Sequence, residues 1–325
     1  MKAVLCKEFG PPDRLVIEDV PSAEPGEGQV AIAVKACGIN FPDALIIQNK
    51  YQFKPPLPFS PGGEIAGVIS RVGPGVSDWS VGDAVIAFTT WGGLAEEVVV
   101  DASRLLAKPE AMSFVEAAAF TMTYGTSLYA LENRGGLRPG ETLLVLGAAG
   151  GVGAAAVQIG KALGARVIAA ASTPEKIEFC RRLGADDCID YTRPDLKDQL
   201  KAMTGGKGVD VVLDPVGGAY SEAALRAIAW EGRLLVVGFA AGEIPKIPLN
   251  LLLLKGCAIV GVFWGEFLRR GGAARDQHLN RLVELYRTGA VQPQVSAVYT
   301  LIDAPRAIQD LADRQAKGKI VVAVP

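Results

Sequence analysis

The spacing of hydrophobic and polar residues changes between residues 110 and 141 of the chain. Before this point, short apolar runs are separated by turns that contain glycine and proline, as in Glu24–Gly28. Such runs predict a compact β-rich domain. After residue 141, strand-like runs alternate with segments of helical spacing, which predicts a doubly wound parallel sheet. The predicted strands are Gln29–Lys35, Ala66–Val72 and Asp83–Phe88 in the first region, and Thr142–Leu146, Arg166–Ala170, Cys188–Asp190, Val209–Leu213, Arg233–Val237 and Cys257–Val260 in the second.

The C-terminal segment returns to β character. Two apolar runs, Val295–Tyr299 and Lys319–Val324, flank a predicted helix at Pro305–Arg314, and a surface helix is predicted at Arg281–Thr288. Because two isolated strands need a sheet with which to pair, we expect the tail to rejoin the N-terminal domain. The predicted division is a β-rich domain of residues 1–121 and 260–325 and an α/β domain of residues 122–259.

One segment, Thr142–Gly153, combines a buried strand, a glycine-rich turn and the start of a helix. Gly147, Gly150 and Gly153 follow the spacing G-x-x-G-x-x-G, and apolar residues continue with helical spacing after them. A helix start of this kind leaves backbone N–H groups unpaired, and these can hold a pyrophosphate. We therefore predict a dinucleotide site at residues 150–153. The alternative is close packing of helix against strand without a ligand.

The residues after the second strand of this region indicate which cofactor binds. NAD-binding units place an acidic residue there, but this chain has Ala171 and Ser172, followed by Thr173 as the expected helix cap. A helix start with a hydroxyl group and Lys176 nearby suits a phosphate, which favours NADPH. Tyr191 is a further candidate for the same phosphate. The alternatives are that the hydroxyl only caps the helix, Lys176 faces water and Tyr191 is a strand-end residue.

Composition excludes several classes of function. The chain has 325 residues and a net charge of −2, and it lacks a basic stripe that would favour nucleic acid. Its five cysteines form no C-x-x-C pair, which favours reduced thiols. The most apolar run, Ile247–Leu254, is too short to span a bilayer, so we expect a cytoplasmic protein without a membrane partner. The single histidine, His278, is expected to face solvent, and no ligand spacing indicates a metal site.

Seven motifs carry a resemblance that covers almost the whole chain: Ala36–Asp43, Pro61–Gly67, Val81–Asp83, Thr123–Thr126, Gly147–Gly153, Asp214–Gly218 and Gly318–Lys319. In these the chain resembles the zinc-free quinone oxidoreductase branch of the medium-chain dehydrogenase/reductase superfamily. The resemblance implies a GroES-like catalytic domain and a Rossmann domain that binds NADPH. Zinc-dependent relatives have a ligand cysteine where this chain has Asn40 and a histidine where it has Gly63. The four-cysteine lobe that holds structural zinc in those relatives is also missing.

The resemblance also implies a set of site residues. Asn40, Asp43 and Tyr51 form the expected catalytic set, and Asn40 would contact nicotinamide or substrate. The expected cofactor contacts are Asn40, Phe41, Thr126, Gly150, Gly151, Val152, Gly153, Ser172, Lys176, Tyr191, Gly238, Phe239, Val262, Phe263 and Lys319. From the residue types alone, Asn40 could instead pair with loop backbone, Asp43 could cap a helix, and Tyr51 could serve only in packing.

The implied activity is transfer of hydride from NADPH to a quinone, without zinc. Reduction of an enone or of an acryloyl or enoyl thioester is a close alternative, and a non-enzymatic NADPH-binding protein is an alternative of another class. A homodimer is expected if the strand edge at Cys257–Val262 pairs with a second copy.

Overall fold

The computed structural model describes residues 1–193 and 195–325. The strands in these residues are, in chain order, β1 (Lys2–Leu5), β2 (Val16–Asp19), β3 (Gln29–Ile39), β4 (Glu64–Val72), β5 (Ala84–Phe88), β6 (Glu97–Asp101), β7 (Leu105–Ala107), β8 (Thr142–Val145), β9 (Arg166–Ala171), β10 (Asp187–Asp190), β11 (Val209–Asp214), β12 (Ile228–Val236), β13 (Ala258–Gly261), β14 (Val295–Thr300) and β15 (Lys319–Ala323).

The α-helices in the same residues are α1 (Phe41–Ile46), α2 (Phe114–Ala117), α3 (Thr121–Leu128), α4 (Gly151–Ala162), α5 (Pro174–Arg182), α6 (Leu196–Met203), α7 (Ala219–Arg226), α8 (Asn250–Lys255), α9 (Trp264–Arg270), α10 (Ala273–Arg287) and α11 (Ala304–Ala312). A π-helical segment, Tyr129–Arg134, follows α3. Every strand that the pattern predicts is present, and most strand ends lie within a few residues of the predicted ends. The largest difference is at β12, which begins at Ile228 rather than Arg233.

The chain divides into two compact units. Unit 1 contains Met1–Met122 and Pro293–Pro325, and unit 2 contains Thr123–Gln292. The predicted boundaries were 121/122 and 259/260, so the structure places residues 260–292 in the other unit. The reason is local, because β13 pairs with β12 and the helices that follow it pack within unit 2.

Unit 1 is built on a β-sheet of order β14-β15-β3-β4-β5-β7, in which β6 also pairs with β3. The prediction that the tail rejoins the N-terminal domain is confirmed, because β15 pairs antiparallel with β3, with Val322 opposite Cys37. Alternate residues of the central strands face a continuous apolar core. This core supports the loops that carry Asn40 and Glu64 at the ends of β3 and β4.

Unit 2 is a six-stranded parallel sheet of order β10-β9-β8-β11-β12-β13. All six residues of β11 are buried, as expected for a central strand covered on both faces. In chain order this is the 3-2-1-4-5-6 arrangement of dinucleotide-binding folds, in which ligands bind outside the carboxyl ends of the strands. The predicted α/β fold, with a β-rich domain and a doubly wound parallel sheet, is confirmed.

The helix predicted at Arg281–Thr288 is longer than expected, and one of its faces is buried rather than exposed to solvent. Helix α10 begins earlier, at Ala273, and buries His278, Leu282 and Leu285, which recur with helical spacing.

Among the described residues, no helix is both long enough and apolar enough to cross a membrane.

Candidate functional site

The glycine-rich turn after β8 forms an open helix start. Helix α4 begins at Gly151, and its cap residue, Gly150, supplies no side-chain hydrogen bond to the first turn. Gly147 has a φ of +59°, which glycine adopts without strain. A Cβ atom at Gly153 would overlap the carbonyl oxygen of Gly147, so the helix packs against the turn with only glycine between them. The N–H groups of this first turn are arranged to bind an anion.

The residues proposed for the adenosine phosphate follow two adjacent strands. Thr173 caps α5, and its Oγ1 accepts a hydrogen bond from the backbone N–H of Lys176 at 3.3 Å. The backbone N–H of Tyr191 donates to the carbonyl of Ala171 at 3.2 Å, so Tyr191 lies beside the residue that precedes Ser172. The structure thus brings Ser172, Lys176 and Tyr191 to one corner of the sheet. The predicted cap at Thr173 is confirmed, so the capping alternative holds for this hydroxyl.

Gly238 and Phe239 lie at the end of β12, next to the loop that follows β11. The N–H of Gly238 donates to the carbonyl of Asp214 at 3.3 Å, and a Cβ atom at Gly217 would lie 2.9 Å from the Phe239 ring. Asp214 begins one of the seven sequence motifs, which predict no role for it. Its buried carboxylate accepts hydrogen bonds from the N–H groups of Val216 and Gly217 and so shapes this loop.

The predicted contacts in α3 and after β13 also lie at the carboxyl edge of the unit 2 sheet. Beside Thr126, the Ser127 hydroxyl donates to the carbonyl of Val152, at the start of α4, at 2.9 Å. The N–H of Val262 donates to the carbonyl of Val236 at 3.0 Å. Phe263 follows with a half-exposed ring. Unit 2 therefore gathers all its predicted contacts at one edge of the sheet.

The expectation that His278 faces solvent is wrong. The side chain is 5% exposed, and its Nε2 accepts a hydrogen bond from the indole N–H of Trp264 at 3.1 Å. Burial lowers the pKa of His278 to about 4, while a hydrogen bond with the Gly125 backbone acts in the opposite direction. The polar neighbours of His278 along the chain led to the prediction of an exposed ring. The helical spacing of His278, Leu282 and Leu285 was the signal for a buried face.

Two of the catalytic residues predicted in unit 1, Asn40 and Asp43, belong to a buried polar cluster centred on Asn40. The Asn40 amide group donates to the Gly38 carbonyl at 3.2 Å and to Glu64 Oε2 at 2.9 Å. Its Oδ1 accepts from Lys319 Nζ at 2.6 Å. Both amide hydrogens therefore have partners within unit 1, one of which is the loop backbone named as the alternative.

Lys319 lies in this cluster. Its ammonium donates to the Ile39 carbonyl at 3.0 Å and to Glu64 Oε2 at 3.0 Å, in addition to Asn40. An ammonium has three N–H donors, so all of them are used, and the side chain is only 3% exposed. This geometry differs from the expected cofactor contact and makes Lys319 a residue that positions Asn40.

Glu64 was not among the predicted site residues, although the motif Pro61–Gly67 contains it. Its side chain is fully buried, and Oε1 accepts from the Thr121 hydroxyl at 3.1 Å and from the Met122 N–H at 2.8 Å. A buried carboxylate needs a positive partner and further donors, and Lys319 supplies the positive charge. A carboxylate at the start of an otherwise apolar strand was the signal for a buried charge with a partner.

Asp43 shows the geometry of the capping alternative. Its carboxylate accepts from the Asn40 N–H at 2.7 Å, which completes a capping box at the start of α1, and from the Gly62 N–H at 3.1 Å. Burial raises the pKa of Asp43 to about 6, and these hydrogen bonds and the charge of Lys319 offset part of that rise.

Tyr51 lies near this cluster, packed against the apolar core of unit 1 and edge-on to Phe53 with ring centroids 5.8 Å apart. Burial raises the pKa of Tyr51 to about 12, with a further contribution from the negative charge of Asp43. The phenol is therefore protonated at neutral pH and able to donate a hydrogen bond. Phe41 is half-buried at the start of α1.

A zinc ion does not fit the residues at these positions. Over residues 1–193 and 195–325, no three histidine, cysteine, aspartate or glutamate side chains are grouped to hold a metal ion. A Cβ atom at Gly63 would lie 2.9 Å from the carbonyl oxygen of Thr90, so a histidine there would require backbone movement. Asn40, at the position of the ligand cysteine in zinc-dependent relatives, is already bonded to Glu64 and Lys319.

Comparisons with known proteins agree with both units. Residues 26–110 match the family described as alcohol dehydrogenase GroES-like domain, and residues 151–277 match the family described as zinc-binding dehydrogenase. A quinone oxidoreductase-like protein 2 homolog of Nematostella vectensis is 41% identical over 99% of this chain and 88% of its own length. The quinone oxidoreductase-like protein 2 of Bos taurus is 39% identical over 99% of this chain and 92% of its own length.

Two solved structures cover the chain end to end. A probable oxidoreductase from Mycobacterium abscessus is 40% identical with a TM-score of 0.91, over 99% of this chain and 98% of that one. A mycobacterial protein solved in complex with NADPH is 32% identical with a TM-score of 0.93, over 99% of this chain and 100% of that one.

Proposed function

Because the chain belongs to the quinone oxidoreductase branch of the medium-chain dehydrogenase/reductase superfamily, we propose that it transfers hydride from NADPH to a quinone without zinc. The family is one of NAD(P)-dependent oxidoreductases. The observation that carries the proposal is the gathering of an open helix start, Ser172, Lys176 and Tyr191 at the carboxyl edge of the unit 2 sheet. These groups bind a pyrophosphate and a second phosphate on the adenosine ribose.

The preference for NADPH rests on the corner formed by β9 and β10. No carboxylate stands at Ala171 or Ser172, where an acid would bond the ribose of NAD and repel a phosphate. Lys176 lies in the first turn of α5, so its positive charge and the positive end of the helix dipole favour an anion at the same place. The relative solved with NADPH supports this choice.

A quinone is the proposed substrate because the chemistry needs few protein groups. The nicotinamide supplies the hydride, and the protein supplies orientation and a donor for the oxygen that becomes negative. We assign that donor to Tyr51, because its phenol carries a proton at neutral pH and it lies close enough to Asp43 for the carboxylate charge to raise its pKa further. Asn40 and Asp43 are assigned to the same site as groups that hold its loop in shape. The quinone oxidoreductase-like names of the two curated relatives support the substrate class.

The absence of zinc is part of the proposal. Lys319 balances the charge of Glu64, so the cluster has a cation without a metal ion. The closed backbone around Gly63 leaves no space for a histidine ligand. Addition of a strong chelator to the protein should leave its quinone reductase activity unchanged.

A homodimer through unit 2 is also proposed. Strand β13 is the edge of the six-stranded sheet and has no neighbour on its outer side among the described residues. Ile259 on this strand is exposed, as are Leu253 and Leu254 on α8 and Trp230 on β12. A second copy that paired its own β13 here would extend the sheet and cover apolar surface. A monomeric mass by light scattering would contradict the dimer.

The cytoplasmic location stays a prediction.

The experiment that tests the function is NADPH oxidation with 1,4-benzoquinone, with a simple enone and with acryloyl-CoA as parallel acceptors. The proposal expects the highest kcat/KM with the quinone and a lower value with NADH than with NADPH. Preference for the enone or the thioester would replace the quinone with the alternative substrate class. Binding of NADPH without turnover of any acceptor would support the non-enzymatic alternative.

A further inference from the structure

The one histidine of the chain joins two segments of unit 2. Its Nε2 accepts from the indole N–H of Trp264, the first residue of α9, at 3.1 Å. With Nε2 occupied as an acceptor, the ring proton lies on Nδ1, which leaves Nδ1–H as the donor to the Gly125 carbonyl in α3. His278 therefore uses both ring nitrogens, one on each segment.

Packing around the imidazole holds the two segments at a fixed separation. A Cβ atom at Gly125 would lie 2.5 Å from the Trp264 ring, so the indole rests directly on the backbone of α3. The Phe267 ring stacks on Tyr129 with centroids 4.4 Å apart, and both meet the imidazole edge-on, at 5.3 Å and 6.2 Å. The imidazole therefore packs between α3 and α9 and contacts both.

Each segment carries a residue that is assigned to the cofactor. Thr126 follows Gly125, and Val262 and Phe263 precede Trp264. Both segments are tied to the carboxyl edge of the sheet by the Ser127 and Val262 hydrogen bonds. The adenosine corner at β9 and β10 lies on the other side of the sheet's central strand β8 and shares none of these contacts.

We propose that His278 is a positioning residue for the nicotinamide ring, because it sets the spacing between Thr126 and Phe263. This inference rests on the proposed NADPH site and adds a residue that is remote from the adenosine end. The imidazole acts through its neutral form, as a donor and an acceptor at once. The proposal predicts that a substitution of His278 weakens binding of the nicotinamide end of the cofactor and leaves binding of the adenosine end unchanged.

The test compares two ligands on one protein. NADPH and 2′-phospho-ADP-ribose share the adenosine, the 2′-phosphate and the pyrophosphate, but the second lacks nicotinamide. The variant His278→Leu removes both hydrogen bonds and should weaken NADPH binding about ten-fold, in line with the worth of one or two buried hydrogen bonds. The same variant should leave the affinity for 2′-phospho-ADP-ribose within about two-fold. Calorimetric titration measures both.

Rescue and a matched control separate positioning from general stability. His278→Gln keeps one donor and one acceptor and should recover most of the NADPH affinity. His278→Phe keeps the ring volume and replaces His278→Leu in the test if His278→Leu lowers the folded yield. It should weaken NADPH binding to the same extent as His278→Leu. Tyr124→Phe also removes two buried hydrogen bonds of α3, because its hydroxyl donates to the Gln292 carbonyl at 2.6 Å and accepts from Gln158 Nε2 at 3.1 Å. It should change the two affinities equally.

Three results would overturn the inference. Equal weakening of both ligands by His278→Leu would show a structural role only, and unchanged affinity for NADPH in both the leucine and phenylalanine variants would show no role. Wild-type protein that binds 2′-phospho-ADP-ribose as tightly as NADPH would show that the nicotinamide is not held. Wild-type protein that binds neither ligand would instead contradict the proposed function itself.

Discussion

The ammonium of Lys319 donates a hydrogen bond to the amide oxygen of Asn40 across 2.6 Å, although the two residues are separated by 279 positions in the chain. Since lysine can only donate, this bond fixes the orientation of the Asn40 amide, with its NH2 group toward Glu64 and the Gly38 carbonyl. Pairing of β15 with β3 brings the two residues together. The orientation of a central site residue therefore depends on the C-terminal tail.

Replacement of Lys319 by methionine should destabilise the protein by about 3–5 kcal/mol, because it leaves the carboxylate of Glu64 buried without a positive partner. Urea unfolding followed by circular dichroism measures the loss. Lys35→Met is the control, since Lys35 lies on β3 but its ammonium is exposed, and its effect should stay within about 0.5 kcal/mol. The double variant Glu64→Gln, Lys319→Met should recover part of the loss. Equal stability of the Lys319→Met variant and wild type would contradict the pairing.

Replacement of Tyr51 by phenylalanine should lower kcat for the quinone by roughly 100-fold, because the oxygen that gains charge loses its donor. The Kd for NADPH should not change, since the proposed site for the adenosine and pyrophosphate groups lies in unit 2. Steady-state kinetics and calorimetry provide the two values. The control is Phe53→Leu, which removes the ring packed against Tyr51 but keeps the hydroxyl. A Tyr51→Phe variant with wild-type kcat would remove Tyr51 from the mechanism.

Replacement of Ser172 by aspartate should shift the cofactor preference from NADPH toward NADH. A carboxylate at the end of β9 repels the 2′-phosphate of NADPH and accepts hydrogen bonds from the ribose hydroxyls of NADH. The ratio of kcat/KM for NADPH to that for NADH should fall by at least about 10-fold, which is 1.4 kcal/mol. Ser172→Ala carries no charge and should shift the ratio far less. If Ser172→Asp and Ser172→Ala give the same ratio of kcat/KM for the two cofactors, the assignment of the β9–β10 corner to the 2′-phosphate is incorrect.

The pKa of His278, lowered by burial to about 4, predicts a pH dependence of stability. Between pH 6.5 and 4 the unfolded chain binds a proton that the folded chain does not. The stabilisation that depends on neutral His278 is therefore complete above pH 6.5 and is lost as the pH falls toward 4. The loss is about 2–3 kcal/mol for a shift of this size.

His278→Gln isolates this contribution. Asp43 titrates in an overlapping range with the opposite sign, because its raised pKa makes the folded state bind more protons between pH 3.8 and about 6. That contribution is common to wild type and variant, so it cancels in their difference. The free energy of unfolding of wild type should fall relative to His278→Gln as the pH is lowered from 7 to 4. Parallel curves would show that His278 is not buried as a neutral ring.

Local pattern was sufficient for the fold class and for the strands that it predicted, but not for the second domain boundary or for helix α10. The β-branched runs and the Gly147–Gly153 turn determine strand and helix positions through period and turn chemistry, which depend on neighbouring residues. The strand pairing of the tail followed from a simple requirement, that isolated strands need a sheet. These features were predictable because few competing arrangements bury the same residues.

The side-chain partners of the site could not be read from the sequence in the same way. Lys319 and Glu64 meet through strand pairing across more than 250 residues, and no local pattern encodes that contact. His278 was misjudged for a related reason, since its polar neighbours along the chain concealed an apolar face whose partners, Trp264 and Gly125, come from other helices. Long-range contacts decide which polar groups are buried, and they emerge only in the folded structure.

The most direct measurement of the central claim is a calorimetric titration of the wild-type protein with NADPH and, separately, with NADH. The account predicts one NADPH molecule bound per chain, at least about ten-fold more tightly than NADH, because Lys176 places a positive charge in the first turn of α5, beside the proposed position of the added phosphate. Tighter binding of NADH would contradict the assignment of the β9–β10 corner. The absence of binding heat with both cofactors, together with no protection of the protein against thermal unfolding, would contradict the dinucleotide site itself.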